Sequence, residues 1–257
     1  GLIPDPDAAR EALSSRTRAI VLVTPNNPAG VEYPAEIVAA FRDLARANGL
    51  ALVLDETYRD FDSRPCRPHD LFADDDWDDT VVQLYSFSKA YRLTGHRVGS
   101  IIASPKRLRQ VEKFLDTVTI CPPQIGQRGA LWGMRNLGDW LARERVEILN
   151  RRSAIRDQFQ DLAGSGWHLD GVGAYFAYAR HPFNLSSDRL ARLLVREAAL
   201  LCLPGTMFMP QDPGRPDRGD AHLRFAFANA DRDGIAELGR RLAALDPARL
   251  APTRIDA

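Results

Sequence analysis

Ala19-Ile-Val-Leu-Val-Thr-Pro-Asn-Asn-Pro-Ala-Gly30 and Leu50-Ala-Leu-Val-Leu-Asp-Glu-Thr-Tyr58 decide how this chain folds. Each opens on five consecutive apolar residues, the mark of a strand buried on both faces of a sheet. Between them Ile37, Phe41 and Leu44 recur at helical spacing, Pro34 suits the first helical position, and Asn48-Gly49 supplies a stop. Strand, helix and strand in this order make a right-handed βαβ unit in a mostly parallel sheet. Further sheet strands are expected over 81–85 and 98–103, the second after a polar, glycine-bearing loop. A short helix is expected from Pro6, with acids in its first turn.

From Pro105 to about residue 163 the pattern is helical, interrupted at Pro122-Pro123 and loosened around Gly126, Gly129 and Gly133. The Pro-free, charged stretch 137–162 reads as a long connecting helix. Beyond Gly164, short strands (175–179, 200–203, 223–228) alternate with helices (188–197, 233–245). The expected organisation is an α/β large domain over 1–136, a connecting helix over 137–163 and a smaller α+β domain over 164–257.

Lys plus Arg and Asp plus Glu are both 34, so the net charge is zero and gives no bulk attraction for nucleic acid or an anionic membrane. No apolar run approaches the roughly 18 residues of a membrane span. Cys66, Cys121 and Cys202 are odd in number and widely spaced, which fits a reducing cytoplasm. The five histidines (His69, His96, His168, His181, His222) show no metal-ligand spacing, so no metal site is expected. The acidic run 74–79 reads as a solvated loop. Gly171-Val-Gly173 begins like a dinucleotide loop but has Phe176 in the third glycine's place.

Open α/β sheets bind ligands at the C-terminal ends of their parallel strands. Three polar groups fall there: Asn26-Asn27-Pro28-Ala29-Gly30, Asp55-Glu56-Thr57-Tyr58 and Ser86-Phe87-Ser88-Lys89. Singly, each has an ordinary explanation in turn or capping chemistry. Together they gather a carboxylate, a phenol, an amide, two hydroxyls and one of only three lysines in the chain, against 31 arginines. Arg97 follows Lys89 by eight residues. Hydroxyls and a guanidinium around a reactive lysine suit a phosphate dianion beside an imine, which points to pyridoxal 5′-phosphate, PLP.

The chain resembles the aminotransferase class I/II family, of PLP fold type I. The resemblance is carried by Thr24-Pro-Asn-Asn-Pro-Ala-Gly30, Val53-Leu-Asp-Glu-Thr-Tyr58, Ser86-Phe-Ser-Lys-Ala-Tyr-Arg-Leu-Thr-Gly-His-Arg-Val-Gly99 and Leu223-Arg-Phe-Ala-Phe-Ala-Asn229. It implies a PLP-dependent transfer of an amino group between an L-amino acid and a 2-oxo acid. It also implies that Lys89 forms the Schiff base and shuttles the substrate proton, while Asp55 pairs with the pyridinium nitrogen. Tyr58 and Asn27 bond the ring O3′, Asn27 also borders the substrate, Ser86, Ser88 and Arg97 hold the phosphate, and Arg224 takes the substrate carboxylate. A homodimer is implied for the complete protein.

Two departures from the family pattern stand out. Only 26 residues precede Asn27, so the family's phosphate loop, ring-stacking aromatic and intersubunit tyrosine are not among them, and the chain is expected to be the C-terminal portion of an aminotransferase that binds PLP weakly by itself. Arg92 stands where the lysine motif usually has a small residue. Dicarboxylate-specific relatives often carry an arginine just before a Pro-Pro like Pro122-Pro123, and residues 116–121 hold none, which argues against an aspartate or glutamate donor. The alternatives are another fold type I reaction, a lyase or decarboxylase, and a non-catalytic or truncated PLP-fold module.

Overall fold

The computed structural model describes residues 2–210 and 219–245. The chain divides into two compact units, one of residues 1–27 and 31–146, the other of 28–30 and 147–257.

The first unit is built on the expected βαβ. Helix α1 (Pro6–Ala12) is capped by Asp5, whose carboxylate accepts from Asp7 N. Strand β1 (Ala19–Val23) leads through the Asn-Pro loop to helix α2 (Ala35–Ala47) and strand β2 (Ala51–Asp55). Pro34 is the cap before α2, one position earlier than expected. Strands β3 (Val81–Ser86) and β4 (Gly99–Ile102) complete a sheet ordered β1-β2-β3-β4, its first three strands parallel and β4 antiparallel.

Side chains alternate between faces, so Leu22, Leu52, Leu54 and Val81 point together into a core closed by Val38, Phe41 and Leu44 of α2. The opposite face carries Val21, Asp55, Leu84 and Ser86. The expectation of burial on both faces fails along this side, where Val21 is 62% exposed. Apolar strand sequence reports that a face is able to pack, not that it has packed.

Three helices follow: α3 (Pro105–Val118), α4 (Gln124–Asn136) and α5 (Gly138–Asp161), the break falling at Pro122-Pro123. The glycines of α4 do not loosen it. A Cβ at Gly126 would stand 2.9 Å from His96 O, and one at Gly133 would stand 2.8 Å from the Tyr91 ring, so both mark close packing. The acidic run 74–79 is not simply solvated: Asp74 pairs with Arg42 and Arg46, and Asp76 with Arg46.

The second unit holds an antiparallel sheet ordered β5-β6-β8-β7: β5 (His168–Gly173), β6 (Phe176–Arg180), β7 (Leu203–Pro204) and β8 (His222–Ala226). Helices α6 (Ser187–Ala198) and α7 (Arg232–Ala243) accompany it. Phe159, Trp167 and Phe225 form an aromatic core with ring centroids 6.0–6.4 Å apart. Strand β5 was not expected, because its glycines and a bulge between Leu169 and Gly171 hide the alternation. The strand expected over 200–203 shrinks to two residues, since Ala199 ends α6 in the left-handed region and Leu200 N still bonds back to Leu194 O. Of the stretch 164–257, residues 211–218 and 246–257 lie outside the described residues.

Candidate functional site

Sheet register sets the frame. Val23 is level with Asp55, Asp55 with Leu84, and Ser86 with Gly99, so Asp55 and Ser86 end adjacent parallel strands on one face of the sheet. Asp55 is half-buried, and one carboxylate oxygen accepts from Thr57 N at 3.0 Å, which fixes the turn toward buried Tyr58. Asn27 is half-buried after β1. Its loop is pinned by Asn26, whose backbone N donates to Val31 O at 2.8 Å and whose side chain donates to Tyr33 Oη at 3.0 Å.

The loop carrying Lys89 closes on itself. Phe87 N donates to Val98 O, Leu93 N to Phe87 O and Arg92 N to Lys89 O. Thr94 Oγ1 donates to Ser88 O at 2.7 Å. Beneath it Phe87, Val98 and Ala130 form a small core with Tyr85, Tyr91 and Leu93 packed against them. Lys89 itself is half-buried, whereas Lys106 and Lys113 are exposed. Ser86 Oγ accepts from Ser88 N at 3.3 Å, and Arg97 Nη1 donates to Ser88 Oγ at 3.5 Å and to Thr94 O at 2.8 Å. Two hydroxyls and a guanidinium are thereby chained together beside Lys89. Arg97 holds φ 49°, a left-handed backbone uncommon for a side-chain-bearing residue. Arg92, also left-handed at φ 55°, pairs with Glu144 and lies over the Trp140 ring at 5.2 Å, so its charge is engaged there.

Sequence reasoning missed the group on the other face. Glu56, one residue past Asp55, is fully buried and bonded to His69 Nε2 at 3.1 Å and to Gln83 Nε2, with Arg59 at 3.5 Å. Burial pushes its carboxyl up, but the His69 and Gln83 hydrogen bonds and the nearby cations outweigh this and hold it below the ordinary value. Nearby, Tyr85 Oη donates to Asp60 Oδ2 at 2.6 Å, and burial raises both groups' pKa values.

Arg224 belongs to the second unit, on β8 opposite Tyr178. Its guanidinium carbon lies over the rings of Phe176 and Phe208, 4.7 Å from each centroid. In the same unit Gly173 meets Gly30 backbone to backbone, and a Cβ on either would collide with the other. Gly173 thus serves close backbone approach to the glycine of Asn-Pro-Ala-Gly and not a dinucleotide.

A family profile described as aminotransferase class I and II matches residues 4–242. The chain belongs to this family. It is 25% identical over 236 residues to an aspartate aminotransferase of Sulfurisphaera tokodaii, covering 88% of this chain and 56% of that protein. It is 29% identical over 228 residues to an aromatic amino acid aminotransferase of Rhodococcus jostii, covering 89% and 60%. Among solved structures, N-succinyldiaminopimelate aminotransferase of Mycobacterium tuberculosis superposes with a TM-score of 0.83 at 25% identity, covering 96% of this chain and 63% of that one. The chain therefore spans about three fifths of the length of the relatives it matches, and its fold is the PLP fold type I of the aminotransferases. Enzymes of this family are generally PLP-dependent and act on amino acids and 2-oxo acids. Among the described residues no helix is long and apolar enough to cross a membrane.

Proposed function

We propose that the protein to which this chain belongs is a PLP-dependent aminotransferase that moves an amino group between an L-amino acid and a 2-oxo acid. The observation that carries the reading is the gathering of Asp55, Ser86, Ser88, Lys89 and Arg97 at the C-terminal edge of parallel strands, the place where open sheets bind ligands. The donor set fits the cofactor. A half-buried carboxylate suits a protonated ring nitrogen, and two hydroxyls with a guanidinium suit a phosphate. Asn27 and Tyr58 are the groups to bond the ring oxygen.

When bound, the cofactor supplies an electron sink for the charge left when a Cα proton departs. The chain's residues do the rest. Lys89 Nζ would hold the cofactor and, once the substrate amine has displaced it, would take the proton from the substrate Cα as a free amine and give it back on the cofactor side. Asp55 would hold its charge against the ring nitrogen, and Arg224 would receive the substrate carboxylate in a fork. In this reading residues 1–136 bind the cofactor, 137–163 connect, and 164–257 bring Arg224. A cytoplasmic homodimer is the proposed working form.

Borohydride reduction of the full-length, PLP-loaded protein should fix the cofactor to Lys89, and Lys89→Ala should abolish amino transfer. A peptide map placing the adduct on Lys106 or Lys113 would overturn the assignment.

A further inference from the structure

We propose that Phe176 and Phe208 are positioning residues that hold the Arg224 guanidinium in place for the substrate carboxylate. The proposal rests on the reading of Arg224 as the carboxylate site. Its own evidence is the pair of ring contacts, with the guanidinium carbon over both rings at 4.7 Å.

Phe176 is buried on β6, immediately beside β8, and Phe208 is half-buried in the 3-10 turn Gly205–Phe208 that follows β7 on the other side of Arg224's strand. The two rings thus reach the same guanidinium from the two sides of β8, one from β6 and the other from the turn after β7. A ring face attracts the cation through its quadrupole and, carrying no net charge, leaves the positive charge for a carboxylate partner. An arginine side chain has several rotatable bonds and loses much rotamer freedom when ordered. Flat surfaces over the guanidinium limit that freedom before any ligand arrives, so less entropy remains to be lost on binding. The rings also replace water near the charge, which strengthens the attraction for an incoming anion. The predicted effect falls on carboxylate affinity and spares the proton transfer at Lys89.

The test uses the full-length, PLP-loaded protein and the tightest binding of three non-reacting carboxylates: 3-phenylpropionate, 4-methylpentanoate and succinate. Each is titrated by calorimetry, with the alcohol analogue of the chosen probe as the neutral control. Phe208→Leu keeps an apolar side chain and removes the π face. It should weaken carboxylate binding between about threefold and thirtyfold, leave the alcohol unchanged, and raise KM for the amino donor while kcat stays within about twofold. Phe208→Tyr should restore the wild-type affinity. Arg224→Gln should weaken the carboxylate by at least about thirtyfold. Wild-type affinity in Phe208→Leu together with a loss in Arg224→Gln would overturn the positioning role and leave the carboxylate reading standing. An equal loss of alcohol and carboxylate in Phe208→Leu would also overturn it, since Phe208 would then act as a general support. Unchanged binding in Arg224→Gln, or a wild type that binds none of the three probes, would remove the reading on which the proposal rests.

Discussion

Replacing His69 with Phe tests whether the buried Glu56 is held by its partners or merely enclosed. Glu56 has no exposed surface, and His69 Nε2 stands 3.1 Å from its Oε1, with Gln83 on the other oxygen. Phenylalanine keeps a planar ring in a site that already packs against Phe72, with centroids 5.8 Å apart, so the main loss is the hydrogen bond to a charged group. Such a bond is worth about 1.5–3 kcal/mol. Removing one side of a fully isolated buried ion pair would cost about 3–5 kcal/mol. Gln83 and the partly exposed Arg59 remain, so the lower range applies and we expect a loss of about 2 kcal/mol at neutral pH. The pH dependence has a definite sign. The folded-state pKa of Glu56 is depressed, so its contribution is present above the unfolded carboxylate value and is lost as pH falls through the folded one. The gap between wild type and His69→Phe should therefore narrow as pH is lowered from 7 to about 4. Urea unfolding followed by circular dichroism at both pH values measures it. An equal gap at the two pH values would show that the cost is steric, and no gap at pH 7 would show that His69 does not hold Glu56.

Asp55→Asn should retain the bond from Thr57 N and the fold while removing the charge opposite the ring nitrogen, so single-turnover loss of the substrate Cα proton should slow by at least about a hundredfold with little change in cofactor retention; near-normal turnover would make Asp55 a cap alone. Gly173→Val should lower the thermal midpoint measurably, because any Cβ there meets the Gly30 backbone, and the expected cost is on the order of 2 kcal/mol; an unchanged melting curve would show that the two loops separate freely. Burial pushes the Cys202 thiol up to about 12, so a thiol reagent at pH 8 should label exposed Cys66 and Cys121 in the native protein and Cys202 only after denaturation, as mass spectrometry of the labelled peptides would show.

The parts of the fold that were legible are those where one period dominates. The run 19–23, the apolar spacing of α2 and the run 50–54 mark the βαβ unit directly, and with it the strand end where Asp55 lies, while the separate strand pattern over 81–85 leads to Ser86. Strand β5 was illegible because Gly171 and Gly173 carry no side chain to alternate, and the role of Gly173, close approach to Gly30 at φ 72°, depends on a segment more than 140 residues away. The strand expected over 200–203 failed for a local reason. Leu201 is 84% exposed beside buried Cys202, an alternation resembling a strand, but Ala199 turns the chain out of α6 at the same place. Glu56 could not be read as a buried anion because its partners, His69 and Gln83, are 13 and 27 residues further on. Phe176 and Phe208 read as ordinary apolar residues, and only the register of β6 and β8 sets one of them against Arg224.

Asp55 and Glu56 show what a strand end does with two adjacent acids. Alternation sends the first to the open face with Ser86 and the second into the core with Gln83. A buried carboxylate is rarely retained for net stability, since desolvation offsets most of what its partners return. What Glu56 contributes is a specific arrangement. Its side chain joins β2 to β3 through Gln83, and to the segment after Tyr58 through His69. Its backbone N bonds Leu84 O at 2.9 Å, and its carbonyl accepts from Arg59 N at 3.0 Å. The turn from Asp55 to Tyr58 is thereby fixed from below at its second residue, while Asp55 fixes it from above through Thr57 N. An apolar residue at position 56 would fill the same space without choosing among nearby packings. The open-face carboxylate thus sits on a turn that both acids anchor, Asp55 at Thr57 N and Glu56 at Arg59 N.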